Sequence, residues 1–249
     1  MSELSGLYAI WYREFKVFLR EKSRVISSLI NPLLWLIILG TGLGSSVSLK
    51  NYNYQTFIYP GVLAMVVMFS SIFFGAYVVW DKKIDFLKEV LITPLNRTTI
   101  FFGKVLGGTT DALIQVLILI LLGGFFGINY TALMLIETVL LLFILTAGLV
   151  GLGLIIGSIM ESPEGFGLIT SFIIFPLFFL SGSLYPVENL PGWMTVFVRI
   201  DPVTYAVDAL REVILGITNF GVLTDMAVLI VFSITMIGIG TVAFNRMKL

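Results

Sequence analysis

The side chains that most often perform catalysis are missing, because the sequence contains no histidine and no cysteine. This excludes thiol nucleophiles, disulfides, histidine general bases, and zinc or copper sites built from nitrogen and sulfur ligands. Carboxylates are the remaining reactive groups. Asp111 is the most unusual of them, since it lies in an apolar run near Thr109, Thr110 and Gln115. An intramembrane aspartyl protease would need a second aspartate of this kind, and Asp111 is alone.

Asp111 is costly to place in a membrane. Insertion scales put an ionised carboxylate at mid-bilayer about 2.5–3.5 kcal/mol above water, so we expect the side chain to face the bundle, a partner or water. It is either a structural acid bonded to nearby hydroxyls or a group that contacts a cationic substrate or takes part in opening. Glu137, near the start of a later apolar run, is interpreted as a rim residue.

Nucleotide-binding loops are also missing from the sequence. A G-x-x-x-x-G-K-[ST] loop would need Ser or Thr after Gly103-Lys104, but Val105 follows, and Thr98 occupies the place of the first glycine. The glycines of 151–157 have the wrong spacing for a dinucleotide loop and lie in an apolar run. We therefore predict that this chain binds no cofactor.

The composition is that of a helical membrane protein. Hydrophobic residues make up 58% of the 249 residues and charged residues 12%, about half of the ~25% usual in soluble proteins. The mean hydropathy is +1.03. The formal net charge is zero, so no overall field attracts nucleic acid. The predicted fold is an all-α polytopic membrane protein.

Six apolar segments approach or exceed the ~20 residues that a helix needs to cross a bilayer. They are 25–44, 57–80, 105–126, 132–160, 166–182 and 222–244. With the N-terminus in the cytoplasm, most basic residues fall on the cytoplasmic side, as the positive-inside rule requires. These are Arg13, Lys16, Arg20, Lys22, Arg24, Lys82, Lys83, Lys88, Arg97, Lys104, Arg246 and Lys248. Lys50, Arg199 and Arg211 remain outside, so both termini are predicted to be cytoplasmic, in the cell (inner) membrane.

Residues 1–24 are predicted to form an interfacial helix ahead of a transmembrane domain at 25–249. At 100° per residue, one face is apolar and the opposite face is basic. The apolar face comprises Leu4, Leu7, Tyr8, Trp11, Phe15 and Phe18, and the basic face Arg13, Lys16, Arg20 and Arg24. Such a helix lies along the inner membrane surface. The alternative is a plain basic flank of the first span.

Two short helices are predicted between the fifth and sixth spans, at 195–200 and 203–215, each after a proline turn. They are interpreted as re-entrant helices that dip back from the outer face, with a helix lying flat on that face as the alternative. In the first span, Asn31-Pro32 is predicted to produce a kink, because proline frees a helix carbonyl.

A charged island interrupts the apolar runs at 81–97. Read as one helix that Pro94 terminates, it has charged side chains on one side and apolar side chains on the other. The charged side holds Asp81, Asp85, Lys88 and Glu89, and the apolar side Ile84, Leu87, Val90 and Leu91. Apolar anchors ringed by charges are typical of protein contacts. We predict a helix whose charges face the cytoplasm and which docks on a partner.

Two stretches resemble the type-2 ABC export permeases, the group that contains daunorubicin-resistance and nodulation-factor exporters. The first is KEVLITPLNRTTIFFGKVLGG, residues 88–108, and the second is LSGSLYPVENLPGWMTVFVRIDPVTYAVDALREVILG, residues 180–216. The second keeps Ser181-Gly182, Tyr185-Pro186, Pro191, Pro202, Tyr205 and Arg211 in the order usual for the family. The resemblance, including the layout of the helices, covers essentially the whole chain.

This resemblance implies the permease subunit of an exporter that moves an amphipathic drug, lipid or lipid-linked glycan out of the cell. Two separate ATPase subunits would hold ATP and Mg²⁺, and a second copy or a related permease would face this one. The implied coupling residues are Asp81, Asp85, Leu87, Lys88, Glu89, Leu91, Pro94 and Arg97. The pathway or gating candidates are Asn31, Pro32, Asp111, Tyr185, Tyr205 and Arg211.

Two other functions are compatible with a helical membrane protein. An ion-gradient-driven secondary transporter or channel would work without an ATPase and would be expected to bury several ionisable groups, of which Asp111 is the one good candidate. An intramembrane enzyme would have to rely on Asp111 alone. A Walker-type ATPase encoded beside this chain would favour the exporter over both.

Overall fold

The computed structural model describes residues 2–44, 53–188 and 190–247. It is 83% helical and has no β-strand within those residues, which confirms the all-α prediction. Lys50 and Lys248, which entered the charge count, lie outside the described residues. The helices are α1 Glu3–Arg20, α2 Lys22–Gly44, α3 Tyr54–Phe73, α4 Ala76–Lys83, α5 Phe86–Leu91, α6 Arg97–Leu121, α7 Ala132–Ile159, α8 Pro163–Leu180, α9 Gly192–Ile200, α10 Pro202–Leu215 and α11 Val222–Asn245.

Six segments of the described chain are long and apolar enough to cross a membrane, in agreement with the six predicted spans. They are Val25–Gly44, Tyr54–Lys83, Arg97–Phe126, Ala132–Ile159, Pro163–Leu180 and Val222–Asn245. The third begins at Arg97 rather than at 105, because the polar start of α6 continues directly into the apolar run. Below, the two ends of the bundle are called the α5 end and the α10 end.

The second span is interrupted where it meets α7. A Cβ atom on Gly75 would lie 2.0 Å from the carbonyl oxygen of Gly153, and one on Gly157 would lie 2.3 Å from that of Gly75. Only glycine permits such an approach of two backbones. The chain ends α3 at Phe73 and begins α4 at Ala76, and α4 stays in contact with α7.

The core of the bundle is formed around α3, which is buried on nearly all sides. Helices α2, α6, α7 and α10 surround it. An apolar helix without a polar face is expected at such a central position. In contrast, α2, α8 and α11 leave most of their apolar surface uncovered, as helices at the rim of a membrane bundle do.

Helix α1 packs lengthwise on the start of α6, with small residues at the contact. A Cβ atom on Gly103 would lie 2.8 Å from the Ile10 side chain, and one on Gly107 would lie 2.6 Å from the Glu14 side chain. Leu4 and Tyr8 remain exposed. The structure confirms a helix in the predicted region, and its position at a membrane surface stays a prediction.

The two short helices predicted between the last spans are present as α9 and α10. Asp201 begins α10, its Oδ1 accepting a hydrogen bond of 2.8 Å from the Val203 amide, and left-handed Gly216 ends it. Helix α10 is buried against α3, α7 and α11, whereas α9 keeps most of its apolar side chains exposed. The two helices therefore occupy different environments, α10 inside the bundle and α9 on its surface.

Candidate functional site

The charged island consists of two short helices, which corrects the prediction of one continuous helix. Helix α4 ends at Lys83, Asp85 has φ of 58°, and α5 begins at Phe86. Aspartate is one of the few residues that visit this left-handed region readily. The Asp85 carboxylate lies 2.6 Å from the Lys88 ammonium. The break turns α5 away from the axis of α4, so the two helices present different faces.

Three residues predicted for partner contact point inward, and those predictions are wrong as to orientation. Asp81 is 3% exposed because α4 continues the second span and remains enclosed by α1 and α6. Leu87 is fully buried in an apolar cluster with Ile100 and Phe101, and Leu91 packs partly buried against the same cluster. The turn at Asp85 places these apolar side chains of α5 against the bundle.

Arg97 also binds within the chain. Its Nη1 donates to the carbonyl oxygens of Asn245, at 3.0 Å, and Met247, at 2.9 Å. Carbonyls at the end of a helix lack intrahelical partners, and a cation there compensates for them. Lys82 does the same for α7, with Nζ 2.6 Å from the Ser158 carbonyl. Both cations thus hold together the α5 end of the bundle.

A smaller set of residues remains exposed at the α5 end, and we call it the exposed patch. Ile84 is 65% and Ile92 84% exposed, which is unusual for isoleucine. Charged and polar neighbours surround them. The exposed patch comprises Ile84, Asp85, Lys88, Glu89, Ile92 and Pro94. Ile92 was not among the residues predicted for partner contact, because the predicted apolar side held Ile84, Leu87, Val90 and Leu91.

Beneath this patch lies a buried ion network of four residues from three helices. Lys104 Nζ lies 2.7 Å from Asp81 Oδ2 and 2.9 Å from Glu14 Oε1. Arg13 donates to Asp81 through both Nη atoms, at 2.8 and 3.2 Å, and to Glu14 at 2.8 Å. Two cations and two anions make it neutral. A buried charge that loses its partner costs about 3–5 kcal/mol, so the network ties α1, α4 and α6 firmly together.

Sequence reasoning did not find this network. Neither Glu14 nor Lys104 was predicted to be buried, and Arg13 was placed on the basic face of α1. One signal was present: Gly103 and Gly107 form a small-residue stripe at the start of α6, which indicates close packing of another helix. The stripe does not say which helix packs there, and only the fold brings Glu14 to it.

A cavity of about 1040 Å³ opens beside the network, between α2, α3, α4 and α8. Its walls are largely aromatic. The rings belong to Trp35, Phe69, Phe73, Tyr77, Trp80, Phe175, Phe178 and Phe179. Asn31 and Pro32, the predicted gating pair of the first span, lie on this wall.

Polar groups are concentrated at the α5 end of the cavity. Arg13, Glu21, Tyr77 and Asp81 line it there, and the Tyr77 hydroxyl donates to Glu21 Oε2 at 2.5 Å. The cavity therefore has charged groups at its α5 end and aromatic rings along its wall, the arrangement that suits a molecule with one polar and one apolar part.

A second polar position lies deeper in the cavity. Gln115 Nε2 donates to Ser70 Oγ at 2.7 Å and to the Asp111 carbonyl at 3.2 Å. Gln115 is three turns along α6 from Lys104, about 16 Å. The Asp111 side chain is buried in the bundle and is not among the residues described on the cavity wall. Glu137 is half-buried in the second turn of α7.

The remaining pathway candidates donate hydrogen bonds to backbone carbonyls at the α10 end of the bundle. Arg211 is buried, donates to the Gly182 carbonyl at 2.6 Å and stacks on the Phe57 ring at 4.0 Å. Burial lowers the pKa of Arg211 to about 10, which leaves it cationic at neutral pH. The hydroxyls of Tyr185 and Tyr205 donate to backbone carbonyls at 2.5 and 2.7 Å. The structure thus does not bring these three residues to the cavity.

Comparison with known proteins agrees with this architecture. The sequence profile of the ABC-2 type transporter family matches residues 5–215. The inner membrane transport permease YadH of Escherichia coli (strain K12) is 29% identical over 245 residues, which cover 91% of this chain and 90% of that protein.

Two further relatives also align over most of this chain. The putative transport permease ycf38 of Cyanophora paradoxa is 28% identical over 213 residues, 84% of this chain and 73% of the relative. Nodulation protein J of Rhizobium meliloti (strain 1021) is 27% identical over 218 residues, 84% and 80% of the two chains. The resemblance noted in the sequence is confirmed: this chain belongs to the ABC-2 type transporter family and is a multi-pass membrane subunit of an ABC transporter.

Proposed function

We propose that the chain is the permease of an exporter that moves an amphipathic substrate outward and is powered by a separate ATPase. The observation that carries the proposal is the cavity, with charged groups at the α5 end and aromatic rings along the wall. Its volume of about 1040 Å³ lies just above the 300–1,000 Å³ typical of small-molecule sites. The apolar part of a substrate would pack against Trp35 and Phe178, and its polar part would stay near Arg13 and Glu21.

The exposed patch is the proposed contact for the ATPase. Ile84 and Ile92 would supply the apolar anchors, and Asp85, Lys88 and Glu89 the polar rim. Because the ion network fixes α4 to α1 and α6, a push on α5 would be transmitted to the bundle rather than absorbed locally. ATP and Mg²⁺ would be bound by two ATPase subunits, since this sequence lacks a phosphate loop.

A second permease is the proposed partner on the cavity side. Helices α2 and α8, which flank the cavity, leave most of their apolar surface uncovered. A second copy or a related permease placed there would close the cavity into a pathway between two bundles. The charge distribution supports a chain in the cell (inner) membrane whose α5 end and both termini are on the cytoplasmic side.

Reconstitution of the permease with its ATPase in vesicles tests the proposal. We expect ATP-dependent movement of a fluorescent cationic dye or a fluorescent phospholipid, and loss of that movement in Trp35→Ala and Phe178→Ala. Trp193→Ala, which alters an exposed ring on α9, is the matched control. Transport by the permease alone under an ion gradient would instead support a secondary transporter. Labelling of Lys83 and Lys88 from outside the cell would refute the orientation.

A further inference from the structure

Ile84 belongs to both the cavity wall and the exposed patch, and Arg13 is a second side chain that connects the two. The Arg13 side chain, which ends in the guanidinium group, lines the cavity and is 33% exposed. The same group is held by both oxygens of Asp81 on α4. The Cζ atom of the guanidinium also lies 4.1 Å from the centre of the ring of Phe86, the first residue of α5. Arg13 thus contacts the cavity, the ion network and the helix that carries the exposed patch.

We propose that Arg13 is a positioning residue that makes ligand binding in the cavity and ATPase binding at the exposed patch depend on each other. The inference rests on the proposed functions of both surfaces. It adds a specific physical link between them, namely the guanidinium and the Phe86 ring.

The link follows from how firmly each side is held. Asp81 cannot move freely because Lys104, almost fully buried, holds its second oxygen at 2.7 Å. Phe86, in contrast, holds the guanidinium only through the contact with its ring. A ligand that presses on the guanidinium from the cavity would therefore shift it relative to Phe86 more easily than relative to Asp81, which holds it by two hydrogen bonds. The orientation of α5 changes as a result.

Thermodynamics requires the effect to run in both directions. If a ligand in the cavity favours one orientation of α5, then an ATPase that binds this orientation must raise the affinity for the ligand by the same factor. Arginine suits this position because its planar fork can bind a carboxylate with two nitrogens and stack on a ring at once. Lysine keeps the charge but cannot make both contacts.

The first experiment uses the full-length permease without its partner. 1-Pyrenemethanol serves as the cavity probe, and its binding is measured by energy transfer from tryptophan, with Trp35→Phe as the check that the signal comes from the cavity. Hydrogen exchange of residues 84–92 is then recorded with and without the probe. We expect the probe to change exchange in this segment at least threefold in the natural chain, and not in Arg13→Lys.

The second experiment measures the reciprocal effect in the nucleotide-free complex of permease and ATPase. We expect the dissociation constant of 1-pyrenemethanol to differ at least threefold between the free permease and the complex. Arg13→Lys should abolish this difference, and Phe86→Leu, which keeps an apolar contact but removes the ring, should reduce it. Arg20→Lys, an exposed position on the same helix, should leave it unchanged.

The outcomes separate this inference from the function on which it rests. If the probe does not bind the natural permease, the cavity is not a ligand site and both proposals fail. If the probe binds but exchange at 84–92 does not respond, or if Arg13→Lys and Phe86→Leu both retain the affinity difference, the inference about Arg13 is overturned and the proposed function stands. A merely structural role of Arg13 would lower thermal stability without removing the response to the probe.

Discussion

The ammonium of Lys104 lies 2.7 Å from the carboxylate of Asp81 in the interior of the protein, where both side chains are almost fully buried. Lys104 belongs to α6 and Asp81 to α4, the helix that leads into the exposed patch. Glu14 of α1 shares the same ammonium at 2.9 Å. This relationship makes the α5 end of the permease one mechanical unit of three helices.

Removing the central cation should therefore destabilise the bundle. Lys104→Met leaves Glu14 and Asp81 with Arg13 as their shared cation, and we expect a loss of about 3–5 kcal/mol of unfolding free energy. Lys83→Met, at an exposed position of α4, should stay within about 0.5 kcal/mol. Thermal unfolding in detergent measures both.

The double variant Lys104→Met, Asp81→Leu is the sharper comparison. It leaves Arg13 and Glu14 as one neutral pair, and apolar replacement of a buried ion pair is often neutral or stabilising. We expect it to recover at least half of the loss. A single Lys104→Met that unfolds like the natural chain would contradict the assignment of the network.

Substitutions in the charged island should separate partner binding from stability. Ile84→Glu and Ile92→Glu change exposed side chains, so we expect unfolding to be nearly unaffected while the yield of co-purified ATPase falls about tenfold. Leu87→Ala should do the reverse, with a loss of about 2–5 kcal/mol from the cavity left in the core. Equal co-purification in the two isoleucine variants would refute the exposed patch as the contact.

Stability should decline with rising pH because of Asp201. Burial raises the pKa of this carboxyl to about 8, against 3.8 for an accessible aspartate. The folded protein thus holds a proton that the unfolded chain releases between these values. Stability from this group is complete below pH 4 and is lost as the pH rises through 8, by at most about 1.4 kcal/mol per pH unit.

Asp201→Asn tests this assignment. Asparagine keeps an oxygen that can accept the hydrogen bond from the Val203 amide but does not titrate, so the decline between pH 5 and 8 should flatten. Asp201→Ala also removes titration and should in addition cost about 1 kcal/mol at low pH from the lost helix cap. An unchanged pH profile in the asparagine variant would show that another group is responsible.

The contact between Gly75 and Gly153 should tolerate no side chain. In Gly153→Ala the new methyl would lie 2.4 Å from the carbonyl oxygen of Ile72, a backbone atom that cannot rotate away. We expect expression of folded protein to drop severely. Gly238→Ala, at a helical glycine of α11 where an added Cβ would meet nothing outside its own helix backbone within 4 Å, should be neutral or stabilise by up to about 1 kcal/mol. Size-exclusion profiles and thermal unfolding distinguish these results.

The composition and periodicity of the sequence were sufficient for the overall architecture. A 20-residue apolar run has few alternatives to a membrane helix, because unpaired backbone groups are too costly in lipid. The six spans, the helix at α1 and the proline-initiated α9 and α10 follow from such local rules. The stretches at 88–108 and 180–216 were distinctive enough to indicate the family.

Which side of the charged island faces a partner was decided by the tertiary structure. Helical periodicity correctly grouped Leu87 with Leu91, but it could not foresee the break at Asp85 that turns this side onto the core. Arg97 was likewise predicted to contact a partner, but its guanidinium donates to backbone carbonyls at the end of α11. These errors arise because periodicity describes one helix at a time and contains no information on what lies opposite.

The sequence by itself determined that this is a helical membrane protein without thiol or imidazole chemistry, since those properties depend only on which residues are present and how they are spaced. Only the tertiary structure decided that Arg13, Glu14, Asp81 and Lys104 neutralise one another and that aromatic rings from α2, α3, α4 and α8 enclose a cavity. Charges and rings far apart in the chain act together when the fold removes the water between them.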